Sequence, residues 1–170
     1  SGTQAQVGDA IVLSGSIGEH GLAVLSQREG LQFESPIISD TRSLHSLVQA
    51  MQRSGARLRV VRDPTRGGVA TSLNEIASAS GVGMLLDEAA IPLQEAVHAA
   101  CELLGLDPLY LANEGKLLAL CHPTTSTPCW LPCVHTPWAL RPAALAPSPM
   151  TPMALCKCAL PLAVVVCWTG

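Results

Sequence analysis

The chain has 170 residues and a formal net charge of −3, enough length for one domain with a proper core, or for one domain with an appendage. It contains one Phe, one Tyr and no excess of basic residues, so it lacks the positive surface and the stacking groups of nucleic-acid-binding proteins. We expect no nucleic-acid partner.

The first predicted elements follow an N-terminal sequence, SGTQAQVGDA, that lacks the basic start and apolar stretch of a signal peptide. Ala10–Ser14 is a short apolar run between glycines, typical of a buried strand. Gly21–Glu29 is a short helix that ends at Gly30. Without a secretory signal, we expect a cytoplasmic protein.

The next helix has the clearest periodicity. Within Leu44–Met51, apolar residues recur at the spacing i, i+3, i+4 and i+7 of one helix face. We expect Gly55 to be the C-cap and the N-cap to be Ser39, Asp40 or Thr41.

Strands and helices continue to alternate as far as Cys121. In order, we predict a strand over Arg57–Arg62, a helix with the apolar face Val69, Leu73, Ile76 and Ala77 that ends at Gly81, a strand over Gly83–Leu86, a helix over Ala96–Leu104 and a strand over Lys116–Cys121. Such alternation favours a sheet covered by helices, in an α/β or α+β domain.

The composition changes near Leu120. All thirteen acidic residues precede it, whereas nine of the thirteen prolines and all three tryptophans follow it. These prolines interrupt any helix longer than about two turns, and the last apolar run, residues 159–168, is too short to span a bilayer. We predict one domain over residues 1–121, a disordered or non-native tail over residues 122–170, and no membrane contact.

Two cysteine pairs in this tail, with two histidines nearby, superficially offer zinc ligands: Cys129 and Cys133, Cys156 and Cys158, His122 and His135. No strand or knuckle pattern surrounds them to hold four ligands in place. We therefore expect no metal site, and without a secretory signal we expect no disulfides.

A strand-to-helix corner, RDPTRGG, carries the first candidate site. Gly67 and Gly68 allow close backbone approach, and the free N–H groups of a helix start can hold a phosphate. Arg66 adds a bidentate donor, and Asp63 suits a metal ion or a donor. The alternative, equally supported, is a turn whose glycines only let the helix pack against its strand.

Two further corners carry candidate residues. GSIGEHG, residues 15–21, is a second glycine-rich corner in which His20 is a proton donor or acceptor, or simply a solvated or capping residue. ANEGK, residues 112–116, places Asn113, Glu114 and Lys116 just before an apolar strand. Glu114 is the best general-base candidate; the alternative is a turn with a Glu–Lys surface pair.

Taken in order, three segments resemble the C-terminal domain of the HypE family of hydrogenase maturation factors: VGDAIVLSGSIGEHGLAVLSQREGLQF, RDPTRGGVATSLNEIASASGVG and IPLQEAVHAACELLGLDPLYLANEGKLLAL. The resemblance covers Val7–Leu120. It places the chain in the superfamily of aminoimidazole ribonucleotide synthetase (PurM), selenophosphate synthetase and thiamine-monophosphate kinase. It implies an α+β, PurM C-terminal-like domain with a mixed sheet layered with helices.

The resemblance also implies a reaction. HypE proteins use ATP and Mg²⁺ to dehydrate an S-carboxamide, built on their own C-terminal cysteine by the carbamoyltransferase HypF, to a thiocyanate. Cyanide then passes to iron on the HypC–HypD scaffold. By resemblance, Asp63, Arg66, Gly67 and Gly68 line the phosphate and substrate cleft, Asn113 and Glu114 handle the carboxamide, and His20 is a weaker catalytic candidate.

The ends of the chain depart from this family. By resemblance, an N-terminal domain supplies most ATP and Mg²⁺ contacts and the homodimer interface, and the family ends in a cysteine, whereas this chain ends Cys167-Trp168-Thr169-Gly170. We expect a fragment with a frameshifted tail, which alone binds neither ATP nor Mg²⁺ and is inactive. Two alternatives remain: another ATP-dependent enzyme of the superfamily, or a non-catalytic binding module.

Overall fold

The computed structural model describes residues 3–33, 35–122 and 167–168. Its elements, in chain order, are β1 (Ala10–Leu13), α1 (Glu19–Glu29), α2 (His45–Arg53), β2 (Leu58–Arg62), α3 (Gly68–Ser80), β3 (Gly83–Met84), α4 (Glu95–Leu104), β4 (Leu118–Cys121) and β5 (Cys167–Trp168). Two short 3₁₀ turns, Glu88–Ala90 and Pro108–Tyr110, flank α4. The α+β class is confirmed.

The principal sheet has the order β1-β4-β2, and β4 runs antiparallel to both neighbours. The expected mixed sheet would also contain parallel pairs, but both ladders of this sheet are antiparallel. The reason is the position of β4 between β1 and β2. These two strands run in the same direction, but they are hydrogen-bonded to β4 and not to each other. A second ladder, β3 with β5, is also antiparallel.

Both faces of the principal sheet are covered, which explains why every residue of β4 is buried. Leu118 and Leu120 face the cluster that includes α3 residues Val69 and Leu73. On the other face, Ala119 packs in one buried cluster with the α2 residues Leu47 and Met51. The same cluster contains Val12, Leu117 and Cys121.

A third apolar cluster joins the two remaining helices. Leu22 of α1 packs with Val97, Ala100 and Cys101 of α4, all buried. The strand ends that adjoin the three corners, at Leu13, Arg62 and Leu118, lie together at one end of the principal sheet.

Glycines end three of the four helices, as predicted. Gly30, Gly81 and Gly105 follow α1, α3 and α4, and each has a φ of 65°, the left-handed conformation favoured for a residue without a Cβ.

The predicted N-cap of α2 was wrong. The N-cap is Leu44, without a side-chain cap, and Ser54 rather than Gly55 is the C-cap. Ser39 and Asp40 lie too far before His45, the first residue of α2, to cap it, and they bond to groups outside α2. Local pattern alone could not reveal these partners.

The tail predicted over residues 122–170 falls mostly outside the described residues. Within it, the structure places only His122 and the two residues of β5, which pair with Gly83 and Met84. The four tail cysteines considered as zinc ligands, and His135, lie outside the described residues.

Candidate active site

The three corners, two from a strand to a helix and one that leads into β4, meet at Asn113, whose side chain is fully buried. Its Oδ1 accepts a hydrogen bond from the backbone N–H of Gly18 at 2.8 Å. Its Nδ2 donates to the carbonyl oxygen of Pro64 at 3.2 Å and to that of Leu111 at 3.0 Å. The amide of Asn113 therefore joins all three corners, and its catalytic role remains a prediction.

The glycine pair before α3 has a structural reason visible at Gly68. A Cβ there would collide with the carbonyl oxygens of Leu109 and Leu111, and the residue has a φ of 65°. Gly67, with a φ of 72°, leaves no room for a Cβ beside the side chain of Thr71. The close approach that these glycines permit is thus to the chain itself. No side chain caps the first turn of α3, so that end keeps the character of an anion site.

Asp63 and Arg66 are exposed at this corner. Within residues 3–33 and 35–122, neither side chain has a hydrogen-bond or ion-pair partner. Both groups are therefore available to a ligand, and their phosphate or metal role remains a prediction.

Glu114 is exposed, and its carboxylate has no hydrogen-bond partner in the part of the chain that the structure describes. Its backbone N–H, by contrast, donates to Asp40 Oδ1 at 3.4 Å. The neighbouring N–H of Gly115 donates to Asp40 Oδ2 at 3.2 Å. Asp40 thus holds the backbone at Glu114 while the side chain stays free to meet a substrate, as the general-base prediction requires.

His20 lies half-buried against hydroxyl groups. Its Nδ1 is 2.8 Å from Ser39 Oγ and 3.5 Å from Thr41 Oγ1. The ring therefore helps to hold the segment that leads to Asp40, and its catalytic role remains a prediction.

A buried charge cluster beside these corners was not predicted from the sequence. Lys116 Nζ lies 3.5 Å from Glu19 Oε1 and 3.4 Å from Asp40 Oδ2, and all three side chains are buried. The alternative of a Glu114–Lys116 surface pair is wrong, because Lys116 turns inward to two other carboxylates. A signal was present: Lys116 stands next to a wholly apolar strand, where an unpaired ammonium would be costly.

Glu19 is the most unusual member of this cluster. Its Oε1 accepts hydrogen bonds from the Ser16 hydroxyl and, at 3.0 Å, from Gln94 Nε2. Its Oε2 is buried without any hydrogen-bond partner in the described part of the chain. A pocket of about 80 Å³ adjoins it, lined by Ser14, Gly15, Ser16, Glu19, Arg42, Gln94, Gly115 and Lys116.

A larger pocket, of about 720 Å³, lies between α4 and the two 3₁₀ turns, with an apolar lining that includes Ile17 and Ile91. Cys101 lines it as well. Burial raises the pKa of the Cys101 thiol, and the nearby charge of Asp107 raises it further. None of the residues predicted as catalytic or cleft residues lines this pocket.

Two further properties concern only the described residues. No cluster of three or more His, Cys, Asp or Glu side chains in this part is arranged to hold a metal ion. None of its helices combines the length and apolar character needed to cross a membrane.

Comparison with known sequences begins with a family profile. The profile described as "AIR synthase related protein, C-terminal domain" matches residues 6–127, which contain all three corners. Carbamoyl dehydratase HypE of Cupriavidus necator is 64% identical over 120 residues, which are 71% of this chain and 34% of that protein. The chain thus spans about a third of the length of the curated relatives it matches.

Solved structures agree with this match. The structure described as a HypE–HypF complex aligns with a TM-score of 0.79 and 42% identity, covering 82% of this chain and 46% of the matched one. A HypE structure described as a complex with ATP aligns with a TM-score of 0.76 and 46% identity, covering 79% and 40% respectively. The similarity therefore extends from the sequence to the arrangement of the elements.

Proposed function

Because the chain belongs to the family of AIR synthase related proteins, as their C-terminal domain, we propose that it acts as the corresponding part of a HypE-type carbamoyl dehydratase in nickel–iron hydrogenase maturation. The observation that carries the proposal is the meeting of the three corners at Asn113. Asn113, the residue before Glu114, bonds to Gly18 and to Pro64 of the Asp63–Gly68 turn, which supports a shared site for these corners.

The proposed reaction converts an S-carboxamide to a thiocyanate at the expense of ATP. The amide oxygen takes the terminal phosphoryl group of ATP, and ADP leaves. The carbon–oxygen bond then breaks, phosphate departs with that oxygen, and the nitrogen loses both of its protons, which leaves a carbon–nitrogen triple bond on sulfur. A poor leaving group has been exchanged for a good one, so positioning and proton removal are the protein's part.

Each corner has a proposed share in this work. Glu114 accepts a proton from the amide nitrogen, a role that suits an exposed carboxylate with no partner of its own. Arg66 and the uncapped first turn of α3 fit a phosphate group, and Asp63 offers the oxygen ligand that Mg²⁺ prefers. ATP supplies the phosphoryl group when it is bound.

The proposed partners follow from the same family. A HypF-like carbamoyltransferase supplies the carboxamide, and a HypC–HypD-like scaffold receives the cyanide. One solved relative is described as a HypE–HypF complex. A full-length protein of this kind acts in the cytoplasm as a homodimer.

A segment exchange tests the proposal. The 120-residue segment of Cupriavidus necator HypE that matches this chain is replaced by the matching residues of this chain. The chimera is incubated with ATP, Mg²⁺, carbamoyl phosphate and HypF, and thiocyanate on its terminal cysteine is measured by mass spectrometry. We expect thiocyanate to form only when ATP is present.

The same experiment separates the alternatives. A folded chimera that is carbamoylated but never dehydrated would contradict the proposal and favour a non-catalytic binding module. A folded chimera that hydrolyses ATP but is not carbamoylated would contradict it in favour of another ATP-dependent enzyme of the superfamily.

A further inference from the structure

The pocket of about 720 Å³ between α4 and the two 3₁₀ turns is a groove with an apolar floor. Ile17, Ile91 and Cys101 line it and are buried. Half-buried apolar side chains also line it, namely Leu93, Leu106, Pro108 and Leu109. Its volume lies within the roughly 300–1,000 Å³ that binding clefts span. The groove is therefore large enough for several apolar side chains at once.

The rim of this groove is acidic. Glu88 of the first 3₁₀ turn, Glu102 of α4 and Asp107 line the groove and are exposed. Neither Lys nor Arg is among the described residues that line it. The one basic side chain there, His98, has its Nδ1 3.7 Å from Glu102 Oε2. The groove thus favours an occupant that is apolar at its centre and positively charged at its edges.

The acidic character extends beyond the rim. Residues 67–115, which include α3, α4 and both 3₁₀ turns, contain no Lys or Arg, although the whole chain has ten. The acidic residues of this stretch are Glu75, Asp87, Glu88, Glu95, Glu102, Asp107 and Glu114. A surface of one sign attracts a partner of the opposite sign, and a negative one repels nucleic acid and anionic membranes.

The arrangement of the rim charges favours a protein segment as the occupant. The three carboxylates come from three successive parts of the chain, around an apolar middle. An occupant that meets them needs several positive groups held apart by apolar ones, as in a peptide segment with several side chains. Apolar surface bounded by polar residues is typical of protein interaction sites. None of the residues predicted as catalytic or cleft residues lines the groove.

We propose that this groove docks a segment of a partner protein in which apolar side chains are flanked by Lys or Arg. The apolar side chains bury against the floor at Ile17 and Ile91, and the basic groups lie beside Glu88 and Glu102. The charges set the choice of partner and the rate of encounter, and the apolar contact supplies most of the affinity. The inference does not depend on the proposed reaction.

Titration of designed peptides into the 170-residue chain tests this. Two peptides of about 14 residues consist of leucine and lysine, one with leucines at helical spacing and one with the two residue types alternating. In one set of counterparts every lysine is replaced by glutamate, and in another every leucine is replaced by serine. Binding is followed by NMR of the ¹⁵N-labelled chain at low and high salt.

We expect at least one leucine–lysine peptide to give saturable shifts at the backbone amides of Ala89, Cys101 and Leu106. Its glutamate counterpart should bind at least about tenfold more weakly, because like charges then face each other. Its serine counterpart should also bind at least about tenfold more weakly, because it has no apolar side chains to bury. Added salt should weaken the leucine–lysine peptide, since the rim charges are exposed.

Two double variants show whether the rim itself attracts the peptide. Glu88→Gln with Glu102→Gln removes two rim charges and should weaken binding about three- to tenfold, the scale of two exposed ion pairs. Glu29→Gln with Glu95→Gln is the matched control, because it changes the net charge equally at two exposed residues that do not line the groove. The control should bind the peptide as the parent chain does.

Several outcomes would overturn the inference. These are no binding by the folded chain, equal binding of the glutamate or serine counterpart, shifts away from the groove, and equal losses in the two double variants. Shifts of the groove amides on dilution of the chain alone would identify a second copy as the occupant. Crosslinks from the groove to residues 123–166 would identify the chain's own tail. Either result contradicts a partner protein, whether or not the chimera makes thiocyanate.

Discussion

Glu114 and Lys116 stand two residues apart and have opposite surroundings. Glu114 is exposed without a side-chain partner in the described residues, whereas Lys116 is buried between two carboxylates. Asp40 explains this difference in exposure, because its carboxylate binds both the backbone N–H of Gly115 and the ammonium of Lys116. The residue without a side-chain partner at this corner is the one that we propose as the general base.

Substitution of Glu114 tests that assignment. In the Cupriavidus necator chimera, Glu114→Gln should leave ATP binding and carbamoylation nearly intact and slow dehydration by about 10²-fold or more, the usual scale for a positioned general base. Single-turnover formation of thiocyanate, followed by mass spectrometry, measures the rate. A normal rate would reduce this corner to a structural turn and direct attention to Asp63.

Two further variants of the same chimera, Arg66→Ala and Glu29→Gln, are compared with Glu114→Gln. Loss of the guanidinium removes a binding contact, so Arg66→Ala should raise the ATP concentration needed before it lowers the maximal rate. Glu29→Gln should behave as the parent.

The raised pKa of the Cys101 thiol predicts how its alkylation depends on pH. Burial, with the charge of Asp107, raises its pKa, and the thiolate is the form that reacts. Alkylation of Cys101 by iodoacetamide in the folded chain should therefore set in at higher pH than in the urea-unfolded chain, as measured on the Cys101 peptide by mass spectrometry. Because the folded-state pKa is the higher one, this thiol's contribution to stability is present below the unfolded pKa and is lost as pH rises through the folded pKa. Coincident pH profiles would contradict the prediction.

At the scale of elements, the contact between α3 and the 3₁₀ turn at Pro108–Tyr110 depends on Gly68. A Cβ at this residue would collide with two backbone oxygens, those of Leu109 and Leu111. Gly81, at the other end of α3, has the same φ of 65° and open space around it. Gly81 is therefore a control, within the same helix, for substitution of Gly68.

Gly68→Ala should accordingly be much more destabilising than Gly81→Ala. The backbone conformation costs both variants about 1–2 kcal/mol, and the collision should cost Gly68→Ala a further 1–3 kcal/mol or so. Urea unfolding of the 170-residue chain measures both. Equal losses would mean that the 109–111 segment yields easily to a methyl group.

Local pattern predicted the elements well where local forces decide them. The three helix-ending glycines and the strands near residues 10, 58 and 118 were found because apolar period and the left-handed preference of glycine act over a few residues. The 3₁₀ turns were not predicted, and the strand expected over Gly83–Leu86 is only Gly83–Met84.

The candidate site could be predicted only in part, because local pattern reveals its corners but not its long-range contacts. Its corners are visible in the sequence, but Glu19, Asp40 and Lys116 are brought together across separations of up to about a hundred residues, which no local period records. Asp40 was one of three residues expected as the N-cap of α2; its carboxylate instead accepts from the backbone of Glu114, 74 residues away.

At the scale of the whole molecule, two ion pairs differ in what they should contribute. Asp40 and Lys116 are buried, whereas Arg62 and Glu75 pair at 2.7 Å with about half of each side chain exposed. Asp40→Asn removes one buried charge and weakens two N–H bonds, and it should cost about 3 kcal/mol in the free energy of unfolding. Glu75→Ala should cost at most about 1 kcal/mol.

Urea unfolding of the two variants at low and high salt checks this difference. Added salt should shrink the small Glu75→Ala effect and leave most of the Asp40→Asn effect, because buried charges are poorly screened. Similar costs for both variants would show that the Asp40–Lys116 pair is balanced by its own desolvation.

The central strand of the principal sheet is also the last of its three strands to be synthesised. Ala10 pairs with Cys121, and Leu58 pairs with the same residue from the other side. On the ribosome, β1 and β2 therefore emerge before β4, the strand with which both of them pair. The sheet can form only after β4 has left the exit tunnel. Such distant pairing slows folding, and a nascent chain stalled before Leu118 would present two open strand edges to chaperones or to other chains.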